Sequence, residues 1–300
     1  MFSVSLWWIF INYCSPQRTR RLDRGKSNWD TTGIHYPLGS KPTRGNDRLI
    51  ETNAPKPGLD LSEVRDRLYE RYRSNQRAIN PDDERTQRAP YLQRLISRHF
   101  PSDREARILD LGCGSGTLLY FLREAGYKNI SGIDSSPEQI EQARQLGFAN
   151  VRQADAVTFL ETAADDSYEA VAAFDIIEHL TKPELLQLAD EIYRTLAPGG
   201  VWIIHAPNAE GFLGSRVRYA DLTHEQAFTP ASIEQLARAA GFRSSECFED
   251  APIAHGLKSM ARLLIWKTGR GLLRLFFMAE TGDTGRNAIF SQNLLALARK

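Results

Sequence analysis

Residues 106–117 read A-R-I-L-D-L-G-C-G-S-G-T, and this stretch decides the fold class. Ile108, Leu109 and Leu111 form a short apolar run with the length of a buried parallel strand. Three glycines follow at alternate positions: Gly112, Gly114 and Gly116. A helical pattern of apolar residues then begins at Thr117. Strand, glycine loop and helix in this order let the backbone approach a ligand at the mouth of an α/β sheet, because a Cβ would block the approach or forbid the backbone angles.

The spacing of the loop distinguishes between classes of ligand. A dinucleotide loop needs a third glycine where this chain has Thr117, and a P-loop needs a Lys-Ser/Thr ending that this stretch lacks. Asp110 precedes Gly112 by two residues, and a carboxylate there suits a cationic ligand better than a pyrophosphate. Cys113 is interpreted as a small residue that fits the loop rather than as a nucleophile. The D-x-G-x-G-x-G arrangement resembles motif I of the class I S-adenosylmethionine (SAM)-dependent methyltransferases.

Acidic residues at successive strand ends extend this resemblance. A strand predicted over 129–134 ends in Asp134, about 20 residues after the first glycine, where a carboxylate can accept both hydroxyls of a ribose. A strand predicted over 151–154 stops at Asp155, and the resemblance implies that Asp155 and the N–H of Ala156 bind the adenine. The residues expected to bind SAM are Asp110, Gly112, Cys113, Gly114, Asp134, Ser135, Asp155, Ala156 and Asp175.

The remaining elements complete the expected fold. Apolar runs predict further strands over 168–174, 201–205, 242–249 and 289–298. Helical spacing predicts helices over 88–100, 183–196 and 230–240. The resemblance implies a doubly wound, Rossmann-like α/β sheet of seven strands, mostly parallel with an antiparallel last strand.

Composition is that of an ordinary globular protein. The 300 residues are 42% hydrophobic and 25% charged, which suffices for one large α/β domain with appendages. The net charge of +1 provides no global field that would attract nucleic acid. Three cysteines lie far apart without metal-binding spacing: Cys14, Cys113 and Cys247. We therefore expect a reducing, cytoplasmic setting.

The chain divides near residue 60. Residues 2–13 are apolar, but the run is shorter than a bilayer span and has the flanks of neither a signal peptide nor a spanning helix. It is either an interfacial anchor or an over-extended translation start. Residues 25–60 have the composition of a disordered linker, so 1–60 is expected to be an extension and 61–300 the methyltransferase domain. In that domain the resemblance offers Tyr69 or Tyr72 as a lid over the cofactor.

A helical insert is expected at about 253–288, within the last strand pair. Its segment 257–277 mixes large apolar side chains with lysine and arginine. A basic amphipathic helix can lie on a membrane surface. The alternative is a flap packed on the catalytic domain or on a dimer partner.

Chemistry-bearing residues follow the predicted fourth and fifth strands. Glu178 and His179 come just after the fourth strand, and His224 lies in the loop after the fifth. The pattern D-x-x-E-H with a later H-x-x-x-x-T is similar to the metal site of the small-RNA 3′-terminal 2′-O-methyltransferases, and E-H pairs also occur in ubiquinone-pathway O-methyltransferases. Oxygen and nitrogen ligands would suit a divalent ion. Alternatively, one histidine is a metal-free general base, or both only shape the pocket.

The expected acceptor is a small hydroxyl compound. The segment from H-A-P-N to A-F-T-P, residues 205–230, resembles bacterial methyltransferases of cell-surface glycan pathways. That likeness implies that Arg218, Tyr219, Asp221 and His224 face a sugar hydroxyl, free or on a lipid-linked glycan. Two rival hypotheses are a nicotinamide-dependent oxidoreductase and a non-catalytic SAM-binding protein. Convergence of residues 175–179 with 221–229 beside an open methyl-sized channel would favour an enzyme.

Overall fold

The computed structural model describes Leu68 and residues 81–285 and 287–300, and these belong to one compact unit. The expected extension over 1–60 and the two lid tyrosines lie outside the described residues. The strands are β1 Ile108–Leu111, β2 Ile130–Asp134, β3 Val151–Gln153, β4 Tyr168–Phe174, β5 Leu196–Pro207, β6 Ser244–Glu249 and β7 Asn293–Arg299. The helices are α1 Pro81–His99, α2 Thr117–Glu124, α3 Pro137–Gln145, α4 Ala156–Thr162, α5 Lys182–Thr195, α6 Gly214–Ala220, α7 Pro230–Ala239 and α8 Leu257–Thr281.

The seven strands form one sheet in the order β3-β2-β1-β4-β5-β7-β6. Strands β1 to β5 are parallel, and β7 is antiparallel to both β5 and β6. The predicted α/β, mostly parallel sheet with an antiparallel last strand is confirmed. The carboxyl ends of β1, β2, β4, β5 and β6 therefore lie along one edge of the sheet, and β7 starts from that edge.

Side chains of the central strands point alternately to the two faces of the sheet, so the hydrophobic core has two layers. Leu109 of β1 and Trp202 of β5 face the layer covered by α4, α5 and α7. Ile108 and Ile203 face the opposite layer, which α1 and α2 cover. Because successive side chains point to opposite faces of a strand, these apolar runs bury both faces of the sheet.

Several predicted boundaries are wrong by a few residues. The helix expected over 88–100 begins at Pro81, and the one expected over 183–196 begins one residue early because Thr181 and Glu184 form a capping box. Strand β5 starts at Leu196 rather than at 201, and its pairing with β4 shifts register across the A-P-G-G segment.

The last strand pair is shorter than expected. β6 begins at Ser244 instead of 242, and β7 begins at Asn293 instead of 289. Asn208 donates side-chain hydrogen bonds to the carbonyls of Ile289 (2.7 Å) and Ser291 (2.8 Å), so this segment is tied to the loop after β5 and does not pair as a strand. Between β6 and β7 the expected insert contains a single 25-residue helix, α8. In the described part of the chain no helix has the length and apolarity needed to cross a membrane.

Candidate active site

The glycine loop joins β1 to α2 at the carboxyl edge of the sheet. All three of its glycines have positive φ: Gly112 (66°), Gly114 (54°) and Gly116 (86°). A Cβ on Gly116 would lie 3.3 Å from the side chains of Ala143 and Phe148, so this glycine lets α3 pack against the loop. A Cβ on Gly114 would meet nothing within 4 Å, so the loop faces open space there. That space is where a ligand can approach the backbone.

Two buried carboxylates lie beside the loop. Asp134, at the end of β2, accepts hydrogen bonds from the backbone N–H groups of Gly114 (2.9 Å) and Ser136 (2.8 Å). Asp110 is 3% exposed, and burial followed by the charge of Asp134 raises the pKa of its carboxyl well above the ordinary value. Two acids in one buried corner provide a favourable place for a positively charged ligand.

The other predicted cofactor residues have local structural partners. Asp155 caps α4 by accepting from the N–H groups of Val157 and Thr158, both at 3.1 Å. Ser135 is exposed, and Ser136 rather than Ser135 caps α3. Cys113 is buried, and a Cβ on Gly132 of β2 would lie 2.8 Å from its Sγ. Its thiol pKa is raised by burial, as expected for a packing residue.

Glu178, His179 and His224 converge from two segments. Glu178 and His179 lie on the 3-10 turn Ile177–His179 after β4, and the carbonyl of Glu178 accepts from the N–H of Glu225 (2.7 Å). The rings of His179 and His224 pack edge to face with centroids 4.7 Å apart. The segment after β4 and the segment after β5 therefore meet.

The three side chains form a possible ligand set. One ligand atom from each of Glu178, His179 and His224 lies within 4.8 Å of the others, and all three residues are buried. Neither carboxylate oxygen of Glu178 has a hydrogen-bond partner among the described residues, nor has Nδ1 of His224. Burial raises the pKa of Glu178 well above its ordinary value, with a further contribution from Asp175. An unpartnered buried carboxyl is costly, which indicates that a group outside the described residues binds here.

A short relay fixes the ring of His179. The hydroxyl of Thr223 donates to Oδ1 of Asp221 (2.7 Å) and lies 2.9 Å from Nδ1 of His179. Because that hydroxyl has only one hydrogen, Nδ1 of His179 donates to it and the lone pair is on Nε2. Burial, followed by the charge of His224, lowers the pKa of His179 to about 4. The pKa of His224 is also lowered by burial, so both rings are neutral near pH 7.

A second buried network consists of His205, Asp175 and Asp250. Nδ1 of His205, on β5, is 2.6 Å from Oδ1 of Asp175, and its Nε2 is 3.4 Å from Oδ2 of Asp250. Burial alone would lower the pKa of His205, but the two carboxylates outweigh it and raise the pKa to about 10. For Asp175, burial favours a higher pKa, but the charge of His205 opposes burial, and the pKa of Asp175 lies below its ordinary value. Asp175 was expected to bind the cofactor; Oδ1 pairs with His205, while Oδ2 is buried without a partner among the described residues.

The family follows from the comparison of this chain with known proteins. A family model described as a methyltransferase domain matches residues 84–246. This chain belongs to the class I SAM-dependent methyltransferases. SAM is its cofactor, and the nicotinamide-dependent and non-catalytic hypotheses are set aside.

Relatives of this methyltransferase act on different acceptors. It is 31% identical over 153 residues to a ubiquinone biosynthesis O-methyltransferase of Methylocella silvestris. The matched segment covers 42% of this chain and only 59% of that protein. It is 26% identical over 229 residues to a trans-aconitate 2-methyltransferase of Rhizobium leguminosarum, covering 71% of this chain and 84% of the relative. The crystal structure of a SAM-dependent methyltransferase from Archaeoglobus fulgidus has a TM-score of 0.52 at 21% identity, covering 70% and 93% of the two chains, and shows the fold alone.

Sequence reasoning missed the part of this methyltransferase site that α1 provides. The charge of Arg88 opposes the effect of burial on the pKa of both Asp110 and Asp175, so its guanidinium lies near both acids. The ring of Tyr91 packs edge-on against His205 with centroids 6.3 Å apart. Tyr91 falls within the helix predicted over 88–100, but helical spacing gives no indication of what lies opposite its ring.

The acceptor-side loop has a more structural role than expected. Arg218 donates to the carbonyl of Glu225 (2.7 Å) and lies over the ring of Tyr219. Asp221 orients Thr223, and Tyr219 is 76% exposed. Of the four residues expected to face the acceptor, His224 alone belongs to the buried cluster.

Proposed function

We propose that this methyltransferase transfers the methyl group of SAM to a hydroxyl oxygen of a small acceptor, with a divalent cation held by Glu178, His179 and His224. The acceptor we favour is a sugar hydroxyl, free or on a lipid-linked glycan. The observation that carries the proposal is the carboxylate of Glu178, fully buried beside two imidazoles with neither oxygen partnered among the described residues.

The donor set fits a divalent cation. One carboxylate and two neutral imidazoles supply the oxygen and nitrogen ligands that such ions bind in enzymes. The Asp221–Thr223 relay supports this assignment, because metal-ligating histidines usually donate their other ring N–H to a fixed acceptor. Bound there, the cation would polarise the acceptor hydroxyl.

The protein itself mainly contributes position. The glycine loop with Asp110 and Asp134 would hold the nucleoside and its positively charged sulfur. The carbon–oxygen bond to the acceptor forms as the sulfur–methyl bond breaks, giving the methyl ether and S-adenosylhomocysteine, and the hydroxyl proton is released to solvent. Because the methyl group of SAM is already activated, proximity and orientation provide most of the required rate enhancement.

Other features support the acceptor class and the cellular setting. One relative is named for O-methylation, which agrees with an oxygen acceptor. Because another relative is named for methylation of trans-aconitate, a carboxyl acceptor is the alternative that an experiment must distinguish from a hydroxyl acceptor. Both described cysteines, Cys113 and Cys247, are free thiols, which supports the reducing cytoplasmic setting proposed here.

An acceptor screen with labelled SAM tests the reaction. Sugars, phenols and carboxylic acids are offered with and without a chelator, and Mg²⁺ or Mn²⁺ is then restored. We expect label on a hydroxyl compound only when the cation is present. Label on carboxylic acids alone would overturn the hydroxyl assignment, and chelator-resistant transfer would favour a metal-free histidine base.

Calorimetric titration with Mn²⁺ tests the cation separately from activity. Glu178→Gln should weaken Mn²⁺ binding at least tenfold, since a charged ligand is lost. Glu225→Gln, the same change at an exposed position on the facing loop, is the matched control and should bind normally. Equal Mn²⁺ binding by the two variants would remove Glu178 from the ligand set.

A further inference from the structure

Helix α8 is attached to the domain along one face. Five half-buried residues recur at helical spacing and form this inner face: Leu263, Trp266, Arg270, Leu273 and Phe277. Phe277 packs edge to face against Phe290 with centroids 6.1 Å apart. Arg270 forms an ion pair of 2.6 Å with Glu249, the last residue of β6. These contacts set the rotation of the helix about its axis.

The opposite face of α8 is also apolar, and it is open to solvent. Its outer face is formed by eight exposed large side chains, Leu257, Met260, Leu264, Ile265, Leu272, Leu275, Phe276 and Met278. Leu257 is 85% exposed and Ile265 is 73% exposed. A contiguous apolar patch of this kind on a protein surface marks an interaction site.

The charge of α8 indicates what the outer face meets. Five basic residues and one acidic residue give the helix a net charge of +4, although the whole chain carries only +1. Lys258 and Lys267 are exposed, so their ammonium groups can extend beside the apolar face. A second copy of α8 would bring the exposed lysines of two identical helices close together, which is unfavourable. An anionic lipid surface matches both properties, since apolar side chains enter the acyl boundary while lysines reach the headgroups.

The connection that contains α8 starts and ends at the same edge of the sheet as the candidate active site. The insert leaves β6 after Glu249 and returns at Asn293, both at the carboxyl edge of the sheet. Asp250, the first residue of the insert, is a partner of His205 in the buried network. The segment after β5, which includes α6, exposes three more large apolar side chains: Phe212, Tyr219 and Leu222.

We infer that α8 docks this methyltransferase on the surface of an anionic bilayer, with its outer face in the boundary between headgroups and acyl chains. Docking in this way presents the carboxyl edge of the sheet toward the membrane. The acceptor is then a hydroxyl compound carried by a lipid, a step that rests on the proposed function, whereas the docking itself does not.

Co-sedimentation of the full chain with vesicles tests the docking. Vesicles of phosphatidylcholine with about 30% phosphatidylglycerol should bind the protein, pure phosphatidylcholine should bind it weakly, and about 0.5 M salt should weaken the anionic binding. Leu264→Asp with Leu275→Asp should lower the partition coefficient at least tenfold. The control is Leu186→Asp on α5, an exposed leucine away from α8, which should leave binding unchanged.

A charge-reversal pair tests the electrostatic part. Lys258→Glu with Lys267→Glu should lower the partition coefficient at least tenfold, because each surface lysine contributes about fivefold. Arg144→Glu, at an exposed position on α3, is the control and should bind as wild type does. Circular dichroism confirms that each variant is folded.

Three results would overturn the inference. One is equal vesicle binding by wild type and the Leu264→Asp, Leu275→Asp variant, which would assign lipid binding to another segment. Another is failure of wild type to bind anionic vesicles. The last is a concentration-dependent dimer, seen by light scattering, that this variant abolishes, since a second copy would then cover the outer face. None of these results bears on the acceptor screen, so failure of the docking and failure of the proposed reaction are distinguishable.

Discussion

Replacing His205 with glutamine removes the cation between two buried carboxylates. His205 lies 2.6 Å from Asp175 and 3.4 Å from Asp250, and all three side chains are almost inaccessible. Breaking a buried ion pair by removing one partner costs about 3–5 kcal/mol. A rise in the pKa of His205 from 6.5 to about 10 corresponds to about 5 kcal/mol of stability at low pH and about 4 kcal/mol at pH 7. We therefore expect His205→Gln to lower the free energy of unfolding by about 4 kcal/mol at pH 7.

The sign of the pH dependence follows from the direction of the two shifts. The pKa of His205 is higher in the folded state, so its contribution is complete below about pH 6.5 and is lost as the pH rises through about 10. The pKa of Asp175 is lower in the folded state, so its contribution is present above its ordinary 3.8 and is lost as the pH falls further. The stability difference between wild type and His205→Gln should be largest near pH 6 and shrink toward pH 10.

Urea unfolding followed by circular dichroism at a series of pH values measures this difference. His255→Gln, the same substitution at an exposed histidine, is the control and should change stability by less than about 0.5 kcal/mol. The reasoning is refuted if His205→Gln is as stable as His255→Gln near pH 6, or if the difference is constant up to pH 10.

Three further predictions concern the cofactor loop and the relay. Gly114→Val should lower the free energy of unfolding by about 1–2 kcal/mol through its positive φ, and should weaken SAM binding at least tenfold by calorimetry because its side chain enters the open space at the loop. The control is Gly199→Val, at φ 78° with nothing near its Cβ, which should bear similar strain with normal SAM affinity. Equal SAM affinities of the two variants would contradict this prediction. Thr223→Val should lower turnover about 10- to 100-fold at unchanged SAM affinity by freeing the ring of His179, and undiminished turnover would show that the relay is not needed. Cys113 should resist iodoacetamide at pH 8 until the protein unfolds, because burial raises its pKa, and labelling of native protein located by peptide mass spectrometry would disprove this.

The strand, the glycine loop and the position of Asp134 could be predicted because local sequence determines them. Positions 108–111 are buried on both faces, so the strand is apolar apart from Asp110, and the glycines after it are required by positive φ. Asp134 could be placed because a residue that ends a parallel strand lies at the carboxyl edge. Residue types and spacing alone were enough for these inferences.

The buried network could not be predicted, because its members meet only through the fold. His205 is 30 positions from Asp175 and 45 from Asp250, and a histidine in an apolar strand has no signature of an ion pair. The sequence also predicted a basic amphipathic helix near 257–277 without showing that both of its faces are apolar in the folded chain. Which face meets the domain depends on Glu249 and Phe290, residues that lie on either side of the helix in the sequence.

The position of β6 at the border of the sheet has a kinetic consequence. Among the described residues β6 pairs only with β7, so it is secured only after the connection over 250–292 closes on itself. Closing a loop of that length costs about 3 kcal/mol of chain entropy, whereas a helix forms from local contacts in about a microsecond. α8 should thus form before the strands on either side of it pair, and fraying of β6 should be among the first opening events detectable by amide hydrogen exchange.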